Sequence, residues 1–140
     1  MTAFRASIQI QASARDVWKV LTDASTWPEW NTTVDGIDGV IARGAKITVH
    51  AKISPGRAFP VTVVELIAPR RMVWEGGMPL GLFRGERSFT VQDRGEGRVE
   101  FAMNEVFSGL LAPLITRSMP DLQPSFDKFA TGLKGRVESD

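Results

Sequence analysis

The sequence predicts an α+β fold in which one antiparallel sheet is covered on its apolar face by a long C-terminal helix. The first segment, Phe4–Ala12, alternates apolar and polar residues, which is typical of a strand with one solvated face. From Thr33 to Phe107, short strand patterns are separated by Gly and Pro, and successive strands with short turns favour antiparallel pairing. From Leu111 onward, apolar residues recur every three or four positions, which predicts an amphipathic helix.

Length and composition indicate one ordinary globular domain. With 140 residues, of which 43% are hydrophobic, we assign a single domain to residues 1–140. The 17 Lys+Arg and 16 Asp+Glu residues leave a net charge of +1, so we expect no nucleic-acid partner. The sequence has no cysteine, no signal-peptide pattern and no apolar run of the ~18 residues that a membrane span needs. We therefore expect a cytoplasmic protein without a membrane span.

Two short helices are predicted after the first strand. Ser13 is followed three residues later by Asp16, which resembles a helix-capping pattern, and apolar residues then recur at helical spacing. This pattern predicts a helix from about Ala14 to Thr22. The next segment has Pro28 near a helix start, and the indoles of Trp27 and Trp30 are three residues apart, so they share one face.

Six further strands are predicted, which makes seven with the first. They are Val34–Ile37, Ala45–Ile53, Phe59–Ile67, Arg71–Trp74, Leu82–Gln92 and Val99–Phe107. The last two are joined by a hairpin loop at Asp93–Gly97. The apolar Met78–Leu82 segment contains Gly and Pro, and it is either a lid or partner surface or a tight turn before the next strand.

The C-terminal apolar stripe extends over about 27 residues, a helix of roughly 40 Å if it is unbroken. Pro120 and Pro124 interrupt the pattern. Because proline removes an intrahelical hydrogen bond and clashes with the preceding turn, we expect a kink or a break near Ser118–Leu122.

A straight helix across a twisted, concave sheet leaves a gap between them. This gap is either filled by side chains or is a ligand cavity. Apolar residues at such spacings are commonly plain core, but those facing the gap are also candidate ligand contacts. The candidates, with Trp30 placed at the cavity mouth by its short helix, are Trp30, Trp74, Phe89, Phe101, Met103, Met119 and Phe126.

One charge pair is predicted on the apolar face of the last hairpin. Arg87 shares a strand face with Phe89, and Glu105 shares a face with Met103. The hairpin loop sets Arg87 opposite Glu105 or diagonal to it, and because either charge alone would be costly to bury, the two should pair. Three roles stay open: a polar contact for a ligand carbonyl, hydroxyl or carboxylate, a structural ion pair, or catalysis. In catalysis, Glu105 would be the general acid or base and Arg87 would stabilise an enolate-like oxygen.

Other chemistry is not indicated. The sequence has no nucleotide-binding or hydrolase motif, and its sole histidine, His50, is predicted on a solvated strand face. Without further histidine or any cysteine we expect no zinc site, and we predict neither a metal nor a cofactor.

The opening of the chain resembles that of START-like (SRPBCC) proteins, which include the polyketide cyclase/dehydrase and lipid-transport relatives. The resemblance is carried by residues 12–23 (ASARDVWKVLTD) and 27–31 (WPEWN), and a bacterial subgroup is matched by 68–74 (APRRMVW), 85–89 (GERSF) and 105–111 (EVFSGLL). It covers essentially the whole chain. It implies a helix-grip fold, with a seven-stranded curved antiparallel sheet around the C-terminal helix and a deep hydrophobic cavity between them.

Three functions follow as hypotheses. The first is binding of a small hydrophobic molecule (a lipid, a polyketide or an aromatic compound) in the internal cavity beside Arg87 and Glu105. The second is a cofactor-independent cyclase or dehydratase that uses Glu105 for proton transfer. The third is a protein-interaction module that docks a partner on the helix or on the Met78–Leu82 loop. The sequence gives no signal for an oligomeric state.

Overall fold

The computed structural model describes residues 2–52 and 58–139. Its strands are β1 (Thr2–Ile10), β2 (Val34–Asp38), β3 (Lys46–Ala51), β4 (Phe59–Ile67), β5 (Arg71–Met78), β6 (Phe83–Gly95) and β7 (Arg98–Ser108). Its helices are α1 (Ala14–Leu21), α2 (Trp27–Trp30), α3 (Ala112–Arg117) and α4 (Gln123–Glu138), with a short 3₁₀ turn at Ala24–Thr26.

The strands form one antiparallel sheet in the order β1-β7-β6-β5-β4-β3-β2. The predicted α+β class and the seven-stranded sheet are confirmed. Consecutive strands from β2 to β7 pair as a meander, and β1 joins the far side of β7. α4 lies against the concave face and contacts β1, β7, α1 and α2.

Several strand ends differ from the prediction. β1 ends at Ile10 rather than Ala12, because the backbone bends there and Ala12 N donates to Ile10 O at 3.0 Å. β5 continues past Trp74 to Met78, where glycines 76 and 77 carry no side chain and therefore gave no alternating pattern. The predicted third strand began at Ala45, one residue before β3, and its last residue, Ile53, lies outside the described residues.

The C-terminal segment is broken rather than kinked. α3 ends at Arg117 and α4 begins at Gln123, with Pro120 in the link between them. Pro124 does not break a helix, because it lies in the first turn of α4, where its missing N–H has no intrahelical partner to lose.

α4 is fixed to the sheet along its length. Its buried residues are Phe126, Phe129, Ala130, Leu133 and Val137, which follow the predicted apolar stripe. Polar contacts bind its flank to β1: Gln123 Nε2 donates to Arg5 O at 2.7 Å, and Lys134 Nζ donates to Gln9 O at 2.8 Å. The predicted cap of α1 is also present, with Asp16 N donating to Ser13 Oγ at 3.1 Å.

Candidate functional site

One row of side chains crosses four neighbouring strands on the concave face. Trp74 on β5 is directly opposite Arg87 on β6, Arg87 is opposite Glu105 on β7, and Glu105 is opposite Phe4 on β1. Of the two registers that the sequence allowed, the structure therefore has the directly opposed one. Opposed residues on one face are within side-chain contact distance.

Arg87 and Glu105 form a two-pronged ion pair. Arg87 Nε donates to Glu105 Oε1 at 2.9 Å, and Arg87 Nη2 donates to Oε2 at 3.2 Å. The side chains are 24% and 12% exposed, respectively, so the pair is mostly but not fully withdrawn from solvent. Within the described part of the chain, Arg87 Nη1 has no hydrogen-bond partner, which leaves a guanidinium edge able to donate to another acceptor.

Aromatic rings surround this ion pair. The guanidinium carbon of Arg87 lies 4.8 Å from the ring centroid of Phe126, at the start of α4. Phe4 contacts both Phe126 and Phe107, at centroid distances of 5.9 and 6.3 Å, and Phe107 stacks on Phe83 at 5.6 Å. The two opposite charges thus lie among aromatic rings. The Phe126 ring additionally stabilises the positive charge of the Arg87 guanidinium, which lies over it.

Aromatic side chains fill the middle of the concave face. Trp27 of α2 stacks on Trp74 at 5.4 Å and meets Phe129 of α4 edge-on at 5.1 Å. Phe89 contacts both Trp74 and Phe129, at 4.9 and 5.9 Å. The gap that we expected between sheet and helix is therefore closed here by side chains, the first of the two outcomes that the sequence left open.

The predicted ligand contacts divide between these two regions. Arg87, Glu105 and Phe126 lie together at the α4 start, whereas Trp74, Phe89, Phe101 and Met103 are almost fully buried in the packed middle. Met119 is only partly buried, in the link between α3 and α4. Their roles in binding stay predictions.

Trp30 lies at a surface depression rather than in a deep opening. The depression has a volume of about 320 Å³ and lies between α2 and α4, where Thr32, Lys128 and Gly132 also line it. A second depression, of about 700 Å³, lies at the turn between β4 and β5 and is lined by Pro69 and Arg70 among others. Neither depression includes Arg87 or Glu105.

Three aromatic residues that pack around these side chains were not among the predicted ligand contacts. Trp27 is at the centre of the packed rings, and its indole N–H donates to Leu21 O at 3.0 Å. Phe4 and Phe107 contact each other near Arg87, at the paired ends of β1 and β7. The alternation of both strands placed these rings on the inner face, but which inner residues adjoin Arg87 depends on the strand order.

Three further features of the described residues bear on function: the environment of the sole histidine, the grouping of metal-ligating side chains and the character of the helices. His50 pairs with Asp38 at 2.8 Å on the solvated side of β3, as its strand face predicted. In the described ranges, no group of three or more His, Cys, Asp or Glu residues could hold a metal ion. No helix described by the structure has the length and apolar character needed to cross a membrane.

The Met78–Leu82 segment forms a tight turn between β5 and β6. Leu82 N donates to Pro79 O at 3.3 Å, and Leu80, at a positive φ of 63°, is almost fully exposed. Leu110 N donates to Gly81 O at 3.0 Å, which joins this turn to the start of the α3 region. The turn interpretation is confirmed; a lid or partner role for the segment stays a prediction.

Comparison with known proteins places this architecture in a family. The family model described as polyketide cyclase / dehydrase and lipid transport matches residues 1–138. Similar solved structures include the hypothetical protein jhp0584 from Helicobacter pylori, with a TM-score of 0.79 and 16% identity, over 97% of this chain and 88% of that one. No curated protein sequence matches this chain.

Two further solved structures share the fold. A START superfamily protein from Mycobacterium smegmatis has a TM-score of 0.74 and 16% identity, over 98% of this chain and 97% of that one. The di-domain ARO/CYC protein BexL of the BE-7585A biosynthetic pathway has a TM-score of 0.73 and 16% identity. Here 99% of this chain matches 47% of BexL, about one of its two domains.

Proposed function

We propose that this chain, which belongs to the polyketide cyclase / dehydrase and lipid transport family, binds a small hydrophobic molecule that carries a neutral hydrogen-bond acceptor. The lipid, polyketide and aromatic classes all contain such molecules. The observation that carries the proposal is the Arg87–Glu105 ion pair on the concave face beneath α4. In keeping with the absence of cysteine, we place this function in the cytoplasm.

The charge balance of the pair favours a neutral ligand group. Glu105 already neutralises Arg87, so a ligand carboxylate would meet a second carboxylate at close range. A carbonyl or hydroxyl oxygen can instead accept from the remaining guanidinium N–H groups without adding charge. Phe126 and Phe4 provide apolar surface for the rest of the molecule.

The break between α3 and α4 supports access at this end of the sheet. Residues 118–122 link the two helices, Leu122 packs against the core, and Phe126 follows within the first turns of α4. Moving residues 118–121 would break none of the helical hydrogen bonds of α4, the first of which joins Phe126 N to Leu122 O at 3.0 Å. Placing a ligand between the central rings would instead require separation of Trp27 from Trp74 and Phe129. We therefore place the ligand at the Arg87 end.

The test uses two probes of nearly the same shape, 2-acetylnaphthalene and 2-ethylnaphthalene, of which only the first has an acceptor. Equilibrium dialysis should show the ketone binding about fivefold tighter, because one hydrogen bond contributes ~1 kcal/mol. Arg87→Met should remove that difference. The matched control is Arg94→Met, which removes a 2.7 Å ion pair with Glu100 on the exposed hairpin and should preserve the difference.

Three results would contradict the proposal: the wild-type protein binds both probes equally, it binds neither probe, or the preference for the ketone survives in Arg87→Met. A protein-interaction module would show the same absence of probe binding, with Arg87→Met changing stability alone.

A cyclase or dehydratase activity is the second candidate, favoured by the family and by the carboxylate of Glu105 at the same place. Glu105→Gln keeps an acceptor for Arg87 but cannot move a proton. The substrate is a short linear poly-β-ketone methyl ester, and the aromatic product is followed by its absorbance. The rate of product formation should fall by about 10²-fold or more in this variant, while the affinity for 2-acetylnaphthalene changes little. Absence of turnover by the wild-type protein would leave binding as the function.

A further inference from the structure

We infer that Trp74 is a specificity residue of this site and that its indole N–H donates to a second oxygen of the ligand. The inference rests on the proposed function, and it narrows the ligand class to hydrophobic molecules with two acceptor oxygens a short distance apart, such as 1,3-dicarbonyl compounds.

The first observation is an unpaired donor in the core. Trp74 is only 2% exposed, and its Nε1 is buried without a hydrogen-bond partner in the described part of the chain. Stacked on it, Trp27 has its own N–H paired with Leu21 O at 3.0 Å. Because a buried N–H without an acceptor destabilises the folded state, such groups in native proteins usually have a ligand, water or functional explanation.

The second observation is the position of this donor. Trp74 is the cross-strand partner of Arg87, whose own partner is Glu105. Opposed residues have Cβ atoms about 5 Å apart, so the side chains of Trp74 and Arg87 extend from neighbouring strands side by side on one face. If one ligand oxygen accepts a hydrogen bond from Arg87 Nη1 and another accepts one from Trp74 Nε1, both unpaired donors of the row gain a partner. A ligand with a single oxygen would leave one of them unsatisfied.

A second tryptophan provides the control. Trp30 Nε1 is likewise buried without a partner, and its ring contacts the same aromatic cluster through Trp27 and Phe129. Trp30 is on α2, however, outside the strand row that contains Arg87. Removal of its N–H therefore tests whether any unpaired indole in the cluster has the same effect.

The experiment replaces Trp74 by 3-benzothienylalanine, which keeps the ring shape and substitutes sulfur for N–H. The probes are 2,2-dimethyl-1-(2-naphthyl)butan-1-one and the corresponding 1,3-dione, whose dimethyl carbon prevents enolisation between the two carbonyls. The wild-type protein should bind the dione about fivefold tighter than the monoketone, and the Trp74 variant should bind both with the monoketone's affinity. The same replacement at Trp30 should preserve the fivefold preference.

The outcomes separate this inference from the proposal beneath it. If the dione has no advantage in the wild-type protein, or keeps it in the Trp74 variant, the Trp74 inference is wrong while Arg87-dependent monoketone binding still stands. Loss of the preference in the Trp30 variant as well would also overturn the inference. If the wild-type protein binds neither compound, or Arg87→Met leaves monoketone affinity unchanged, the proposed function fails and the inference fails with it.

Discussion

Arg87 and Glu105 illustrate how a charge can be retained on an apolar surface. Burying either alone would be expensive, but the two hydrogen bonds between them return part of the desolvation cost. Replacement of a mostly buried pair by apolar residues is often neutral for stability, so stability alone does not account for this one. Its residual exposure and its unpaired guanidinium edge agree with a role in recognition.

At the other end of α4, Glu138 joins two parts of the chain. Its carboxylate accepts from Gln11 N at 2.7 Å and from Lys134 Nζ at 2.6 Å. The backbone hydrogen bond from Gln11, followed by the side-chain hydrogen bond from Lys134, lowers the pKa of Glu138 below its ordinary value of 4.5. The residue thus connects the end of α4 to the bend after β1.

The pH dependence of stability tests this connection. Because the pKa of Glu138 is lower in the folded than in the unfolded chain, its stabilising effect is fully present above the unfolded value of 4.5 and disappears as the pH falls through the folded value. The Tm difference between wild type and Glu138→Gln should therefore be larger at pH 7 than at pH 3. An equal difference in Tm at both pH values would contradict this assignment.

At the scale of elements, the contact between α4 and α2 depends on one glycine. A Cβ on Gly132 would collide with the carbonyl oxygen of Trp30, and it would also lie 3.5 Å from a ring carbon of that indole. The two helices are therefore closer together than any side chain at position 132 permits. This approach holds Trp30 and Trp27 over the sheet.

Two alanine substitutions in α4 should have opposite effects. Gly132→Ala should lower the free energy of unfolding by ~2 kcal/mol or more, because it forces α4 away from the α2 backbone. Gly135→Ala has nothing within 4 Å of its new Cβ and should raise stability by ~0.5–1 kcal/mol through helix propensity. Urea denaturation measures both, and equal effects of the two substitutions would refute the close contact.

For the whole molecule, Phe129 connects the layers. Its ring contacts Trp27 and Trp30 of the second helix, at 5.1 and 5.2 Å, and Phe89 and Phe101 of the sheet, at 5.9 and 6.0 Å. A single ring thus touches α2, β6 and β7 from α4. Such shared packing predicts that sheet and helices unfold together.

Removal of this ring should weaken the entire fold. Phe129→Ala should cost ~3–5 kcal/mol of unfolding free energy, the usual cost of emptying a buried aromatic site. Leu114→Ala, at an exposed position of α3, should change it by less than ~0.5 kcal/mol. Near- and far-ultraviolet circular dichroism should give coincident transitions in the wild type; separate transitions would mean that helices and sheet are not one cooperative unit.

Much of the architecture was predictable because its signals are local. Alternation identified the strands, and the cap at Ser13 and the three-to-four residue stripe identified α1 and α4. Even the Arg87–Glu105 pairing followed from one hairpin, since a short turn leaves few registers. The extension of β5 escaped prediction, because glycines 76 and 77 show no alternation.

The sequence by itself determined the fold class, an interruption of the C-terminal helix near Pro120 and one charged pair on an apolar face, because each depends on residues near one another in the chain. Only the tertiary structure decided that Trp27 fills the space beneath α4 and that Trp74 lies beside Arg87 with its N–H unpaired. Periodicity shows which face a residue occupies. Which rings meet on that face depends on strand order, helix placement and side-chain packing across the whole sheet.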